Sequence, residues 1–113
     1  MTISFLINLV VLGVVVPAIV RDTPQMVTVY GPRTPARGIV VAFYGSVMAF
    51  STAGLILLAL GSPLAHDIGL MLLPVQVLYK GLTVITVGPA NPVIRANVAI
   101  AAWHLVTCMA LYD

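Results

Sequence analysis

Hydrophobic residues fill long segments of this chain, and charged residues fall almost entirely between those segments. No Asp, Glu, Lys or Arg occurs in residues 2–20, 38–66, 68–79 or 96–112. Runs of about 20 apolar residues can cross a bilayer. Because backbone groups in lipid must bond within their own segment, each run is predicted to be a helix and not an open strand. The predicted spans are 3–20, 35–60, 68–87 and 92–112.

These spans predict an all-α, polytopic membrane protein with four transmembrane helices in two helical hairpins. The whole chain, 1–113, is expected to form one transmembrane domain with no soluble domain. Composition agrees, with 61% hydrophobic residues, 7% charged residues and a mean hydropathy of +1.14, whereas about a quarter of the residues in globular proteins are charged. Residues 35–60 are long for one span and are expected to tilt or to project beyond the lipid. A three-span alternative would make 68–87 re-entrant or tilted, and four spans are preferred.

Basic residues are distributed unevenly among the loops. The loops after spans one and three contain Arg21, Arg33, Arg37 and Arg95, while the opposite side has His66, Asp67 and Asp113. The positive-inside rule therefore predicts cytoplasmic basic loops and periplasmic termini, in a bacterial inner membrane. The first span lacks the basic start of a cleaved signal and is expected to be an anchor. The net charge of +2 reflects topology, and no nucleic-acid partner is expected.

The two basic loops contain similar turn sequences, Gly31-Pro32-Arg33-Thr34-Pro35 and Gly88-Pro89-Ala90-Asn91-Pro92. Thr34 and Asn91 are predicted helix N-caps, each followed by a proline at the first helical position. Two explanations stay open: a repeated hairpin, as in parallel-repeat membrane proteins, or capping chemistry that recreates the pattern by itself. The segment 21–38 is too short for a folded domain and is expected to lie on the membrane interface or against a partner.

Small residues recur at helical spacing along the second span. They are Gly38, Ala42, Gly45, Ala49 and Ala53. Small side chains let membrane helices approach closely, so this stripe is predicted to be a helix-packing face. Its neighbour could belong to this chain or to another subunit.

Polar residues fall on one face of each of the last two spans. Gln76, Lys80 and Thr83 share a face of span three, and Asn97 and His104 share a face of span four. Because the two spans run antiparallel from the turn at 88–91, we expect a polar seam between them. Lys80 has no acidic partner within a span, so its stem is predicted to carry the ammonium to the cytoplasmic interface, or to anchor a lipid headgroup or a partner.

His104 is the one candidate for cofactor binding. A neutral imidazole can ligate haem iron or the magnesium of a chlorophyll, so the candidate cofactors are a pigment, haem or quinone, besides bound lipid. A b-type haem normally takes a second axial ligand. The other histidine, His66, is expected near the periplasmic surface on a different element and so does not provide one. The favoured interpretation is therefore a hydrogen bond from His104 to Gln76 or to a backbone carbonyl. No catalytic or metal-binding residue is predicted.

Several classes of small membrane protein lack their characteristic residues here. Small multidrug transporters and rotary-ring proton carriers use a buried carboxylate, and no predicted span contains one. Cys108 is the only cysteine, which excludes an internal disulfide and the paired cysteines of mercury carriers. It is expected to be a small buried hydrophobe. No Ser/His/Asp set or phosphate loop occurs.

The sequence favours a non-catalytic accessory or structural subunit of a larger energy-converting or transport complex. Its partners would be larger membrane-protein subunits and membrane lipids. The alternative is a small carrier or channel that works as a homo-oligomer, with the seam residues along its path. A third class is an enzyme that acts on a lipid-like substrate.

Overall fold

The computed structural model describes residues 1–112, which are helical and contain no strand. The helices are α1 (Thr2–Val20), α2 (Pro24–Tyr30), α3 (Pro35–Ala59), α4 (Leu64–Thr86) and α5 (Pro92–Tyr112). Helices α1, α3, α4 and α5 are each long and apolar enough to cross a membrane. This confirms the four predicted helices and is compatible with an integral membrane protein.

Helix α4 begins four residues earlier than the predicted start at 68. Gly61 has a φ of +67°, a left-handed conformation that glycine adopts without strain. The Ser62 hydroxyl then accepts a hydrogen bond from the Leu64 backbone N–H at 3.3 Å. The helix therefore starts directly after the Gly-Ser-Pro turn, and His66 and Asp67 belong to its first turns.

Both predicted N-caps are confirmed. The Thr34 side chain accepts a hydrogen bond from the Arg37 N–H at 3.3 Å, with Pro35 in the first turn of α3. The Asn91 side-chain oxygen accepts one from the Val93 N–H at 3.0 Å. A third cap of the same type, Thr23 before Pro24, starts the short helix α2, which the sequence interpretation did not identify as helical.

Helix α2 lies against the bundle of its own chain. Met26 and Tyr30 pack on a cluster whose buried members are Leu12, Ile19, Tyr44 and Val47. Val27 remains exposed to the outside. The segment 21–38 therefore covers one end of α1 and α3.

The long helices pair as α1 with α3 and α4 with α5, and α3 also packs against α4. The two basic loops meet at one end of the bundle, where the Asn91 side-chain amide donates a hydrogen bond to the Val29 carbonyl at 3.0 Å. We call this the basic end. At the other end, a Cβ placed on Gly69 would lie within 3.3 Å of Met1 and Leu111.

Apolar side chains cover the outside of the bundle as well as its interior. Large residues such as Leu60, Met71 and Ile85 are more than 70% exposed. A soluble monomer rarely exposes contiguous apolar surface on this scale. The inside of the bundle, by contrast, contains most of the polar side chains of the long helices.

Candidate functional site

The bundle interior contains a set of polar side chains, which we call the polar core. Every long helix contributes to it, and all its members are at most 7% exposed. They are Ser4, Asn8, Ser51, Gln76, Lys80, Asn97, His104 and Thr107. The predicted seam between α4 and α5 is therefore part of a larger network that also includes α1 and α3.

Lys80 lies in the polar core and does not reach the basic end, so the predicted snorkelling is wrong. Its side chain is 7% exposed, and its ammonium donates to the Asn97 side-chain oxygen at 3.1 Å. The ammonium also lies 5.5 Å from the centre of the Tyr79 ring, within range of a cation–π interaction. The Asn97 amide and the Tyr79 ring therefore stabilise the Lys80 ammonium inside the bundle. The sequence had predicted that water at the membrane interface would do so.

His104 bonds to the first helix and not to Gln76 or a carbonyl, which corrects the favoured sequence interpretation. The distance from its Nε2 to Asn8 Oδ1 is 3.1 Å. Asn8 Nδ2 in turn donates to the Ser51 hydroxyl at 3.0 Å. Because Asn8 Oδ1 can only accept, Nε2 must bear the proton, and Nδ1 is left as a buried acceptor without a partner among residues 1–112.

The surroundings of His104 do not fit a haem or a chlorophyll. The side chain is completely buried between its own helix and α1. Nε2 is already bonded to Asn8, and Nδ1 is enclosed by the protein. The macrocycle of a haem or chlorophyll would have to displace a helix to reach either nitrogen of His104. Such a cofactor therefore does not fit this site.

Gln76 is buried without any hydrogen-bond partner. The residue is 1% exposed, and neither amide atom has a partner among the described residues. An unsatisfied buried amide is costly, and most such groups in proteins find a partner. Thr83, the remaining seam residue, is partly buried and donates to the Lys80 carbonyl of its own helix at 2.6 Å.

Sequence reasoning did not assign Ser4, Asn8, Ser51 or Thr107 to this network. The Thr107 hydroxyl donates to the Trp103 carbonyl at 3.1 Å, which leaves the Ser4 hydroxyl to donate to Thr107 at 2.9 Å. For Ser4 and Asn8 the available signal was their spacing of four, which places both polar side chains on one face of the largely apolar helix α1.

Three tyrosines connect the basic end to the polar core. The hydroxyl oxygens of Tyr30 and Tyr44 are 3.0 Å apart, and the Tyr79 hydroxyl donates to Tyr44 at 3.0 Å. Helices α2, α3 and α4 are therefore joined through one hydroxyl group. Tyr79 precedes Lys80 directly, so this series of hydrogen-bonded tyrosines ends beside the buried Lys80 ammonium.

Asp22 organises the basic end. Its carboxylate accepts hydrogen bonds from Arg33 at 2.9 Å and 3.2 Å and also from Arg37. Arg37 further donates to the Gly31 carbonyl at 3.2 Å. The Arg37 hydrogen bond, helped by Arg33, lowers the pKa of Asp22 below its usual value. Asp113, predicted on the opposite side of the membrane, lies outside the described residues.

The predicted packing stripe on α3 faces away from the bundle. Gly38, Ala42, Gly45 and Ala49 are exposed, and Ala53 is partly buried. The inward face contains Arg37, Tyr44, Val47, Ser51 and Gly54. The close approach within the chain occurs at Gly54, where a Cβ would lie 2.6 Å from the Phe5 ring. The stripe is therefore not used within the chain, and its role toward another chain stays a prediction.

Cys108 is buried and unpaired, as predicted for a small hydrophobe. Within residues 1–112, His, Cys, Asp and Glu side chains form no group of three that could hold a metal ion. The polar core offers instead the Lys80 ammonium and the Gln76 amide, which can bind and orient a small polar species. Comparison of the chain with protein-family profiles, curated proteins and solved structures gives no match.

Proposed function

We propose that this chain is a multi-pass membrane subunit that acts as an accessory or structural component of a larger membrane complex, without a catalytic activity of its own. The observation that carries the proposal is the outward position of the α3 stripe. No atom of another helix lies within 4 Å of a Cβ built on Gly38 or Gly45. A stripe of small residues in lipid lets a second helix approach closely, so it suits a helix of a larger partner subunit.

The polar core supports the same role. Asn8 bonds to both Ser51 and His104, and Lys80 bonds to Asn97, so these side chains join helices to one another. Interhelical bonds of this kind contribute about 0.6 kcal/mol each on average in membranes. Several together favour one fixed arrangement of the four long helices. A fixed bundle can present its outer faces to partner subunits and lipids.

We further propose a bacterial inner-membrane location with the basic end in the cytoplasm and both termini in the periplasm. The support is that both arginine-containing loops meet at one end of the bundle, in agreement with the positive-inside rule. Single cysteines introduced by Thr2→Cys and Pro32→Cys in a Cys108→Ala background should be labelled from opposite sides. Labelling of both from the same side would contradict this topology.

The test of the accessory role is purification without cross-linking, followed by substitution on the stripe. The wild-type chain should co-purify at fixed stoichiometry with larger subunits. Gly45→Leu or Ala49→Leu should lower this recovery, because overpacking costs about 1–3 kcal/mol, at least about a fivefold change in an equilibrium constant.

Two glycines provide matched controls. Gly81→Leu adds the same side chain to an exposed site on α4 with no neighbour within 4 Å, and it should leave recovery unchanged. Gly54→Leu should lower the stability of the chain itself, because its side chain would collide with Phe5. Equal recovery of the Gly45→Leu and Gly81→Leu variants would mean that the stripe faces lipid.

A homo-oligomeric carrier or channel is the second candidate. It is favoured by the position of Lys80 and the unpartnered Gln76 beside one internal cavity. The same purification distinguishes the two functions, because a carrier should be recovered as an assembly of this chain alone. Reconstituted vesicles should then show solute flux that Lys80→Met reduces.

A further inference from the structure

A small cavity lies inside the bundle at the level of Gln76 and Lys80. All four long helices line it, and its polar walls come from Asn8, Tyr44, Gln76, Tyr79 and Lys80. Its volume is about 10 Å³. That is the space of about one water molecule, so the cavity can hold only a single small species.

The cavity walls contain four N–H donors without a partner among residues 1–112, two on Lys80 and two on Gln76. The Lys80 ammonium has three N–H donors, and Asn97 is its one acceptor among residues 1–112. The Gln76 amide adds two N–H donors without partners. On the acceptor side, the walls contain the Gln76 carbonyl, the tyrosine oxygens and Asn8 Oδ1, of which Asn8 Oδ1 already accepts from His104.

Among residues 1–112, no carboxylate balances the Lys80 charge from within the bundle. Helices α1, α3 and α5 contain no Asp or Glu. Asp67, in the first turn of α4, is about 20 Å from Lys80 along the helix at 1.5 Å per residue. Asp22 is bonded to Arg33 and Arg37 at the basic end. A buried cation of this kind needs a counter-charge or strong hydrogen bonds.

We propose that the cavity binds one monatomic anion, of which chloride is the common representative, between the Lys80 ammonium and the Gln76 amide N–H groups. The anion would balance the cation and accept the free N–H donors, and hydrogen bonds to charged groups are the stronger kind. The site requires neither a partner subunit nor transport, so it goes beyond the function proposed above and can fail independently of it.

The experiment uses the full chain in detergent, with sodium chloride exchanged for sodium gluconate at constant sodium concentration. Chloride should raise the unfolding temperature, measured by the fluorescence of the single tryptophan, Trp103, since a ligand that binds only the folded state stabilises it. Chloride should also broaden the ³⁵Cl resonance through exchange with the bound ion. Lys80→Met should abolish both effects.

Gln76→Leu keeps the proposal testable if Lys80→Met does not fold. Because Gln76 has no hydrogen-bond partner in the part of the chain that the structure describes, this variant should be at least as stable as wild type in gluconate. Its apparent Kd for chloride should be about tenfold higher, as expected for the loss of a hydrogen bond to a charged group. Arg33→Gln, which removes an exposed cation at the basic end, is the control for surface binding and should respond to chloride like wild type.

Three results would overturn the proposal. They are equal unfolding temperatures of the wild-type chain in the two salts, an unchanged chloride response in Gln76→Leu, and crystals grown in bromide that show no anomalous peak beside Lys80. A refined water molecule that donates to the Gln76 carbonyl would then account for the cavity.

Discussion

Arg37 and Lys80 are both cations that the fold removes from solvent, but their surroundings compensate them in different ways. The Arg37 side chain is 4% exposed, and it contacts the Asp22 carboxylate and a backbone carbonyl. Lys80 is similarly buried, and its contacts are the neutral Asn97 amide and the Tyr79 ring. Arg37 therefore has a counter-charge, whereas the contacts of Lys80 are with neutral dipoles.

This difference assigns different roles to electrostatics in the two regions. At the basic end, Asp22 draws Arg33 and Arg37 together and fixes the loop between α1 and α3. Asp22 itself adopts a φ of +55°, a left-handed conformation that Asp tolerates better than most residues. In the polar core, no carboxylate among residues 1–112 contacts Lys80, and its contacts are with neutral groups. One region uses an ion pair to hold a conformation, and the other buries a cation among dipoles.

The largest expected effect follows from removing the protein acceptor of Lys80. Asn97→Leu should lower the free energy of unfolding by about 2–3 kcal/mol, because it leaves a buried charged donor without its partner. The measurement is denaturant unfolding in detergent. The double variant Lys80→Met with Asn97→Leu should recover much of this loss, since replacing both partners by apolar groups is nearly neutral. If the single variant were as stable as wild type, Lys80 would not depend on Asn97.

A smaller effect is expected at the basic end, because Asp22 is partly exposed to solvent. The pKa of Asp22 is lower in the folded state than its usual value, so its contribution is present at neutral pH. That contribution is lost as the pH falls below about 4 toward the folded-state pKa. The unfolding temperature of wild type should therefore fall more steeply with acid than that of Asp22→Asn.

Asp67→Asn is the matched control for this pH dependence. Asp67 forms no ion pair among residues 1–112 and lies at the opposite end of the bundle. The acid dependence of this variant should therefore parallel that of wild type. If the unfolding temperatures of wild type and Asp22→Asn fell equally steeply with decreasing pH, the Arg37 charge would be compensated without Asp22.

The smallest expected effect concerns the tyrosine chain that links the two regions. Tyr44→Phe removes the hydroxyl that accepts from Tyr79 and contacts Tyr30, at a cost of about 1 kcal/mol. Amide hydrogens of α2 should exchange faster, because Tyr30 would lose its bond to the bundle. Tyr112→Phe, on an exposed tyrosine at the other end, should leave that exchange unchanged. Unchanged exchange in Tyr44→Phe as well would mean that apolar packing alone holds α2.

The sequence alone determined the four long helices and the residues at which two of them begin. Apolar runs long enough to cross a bilayer predict helices, and the pairs Thr34-Pro35 and Asn91-Pro92 predict where two of them begin. The periodicity of α4 and α5 also placed Gln76, Asn97 and His104 on the faces that are buried, whereas the ammonium of Lys80 was expected at the interface and is buried as well. These properties depend on local spacing and capping chemistry, which adjacent residues decide.

The tertiary structure decided which groups meet. The sequence contained Asn8, but only the position of α1 beside α5 makes it the partner of His104. Likewise, the small residues of α3 gave no sign that Gly54 would meet Phe5 while Gly45 faces outward. The physical reason is that small and apolar residues lie on both the inner and the outer faces of these helices, so hydropathy alone does not show which small residue meets a neighbouring helix. The rotation of each helix is set by side-chain contacts between distant parts of the chain, such as the bonds from Asn8 to Ser51 and from Lys80 to Asn97.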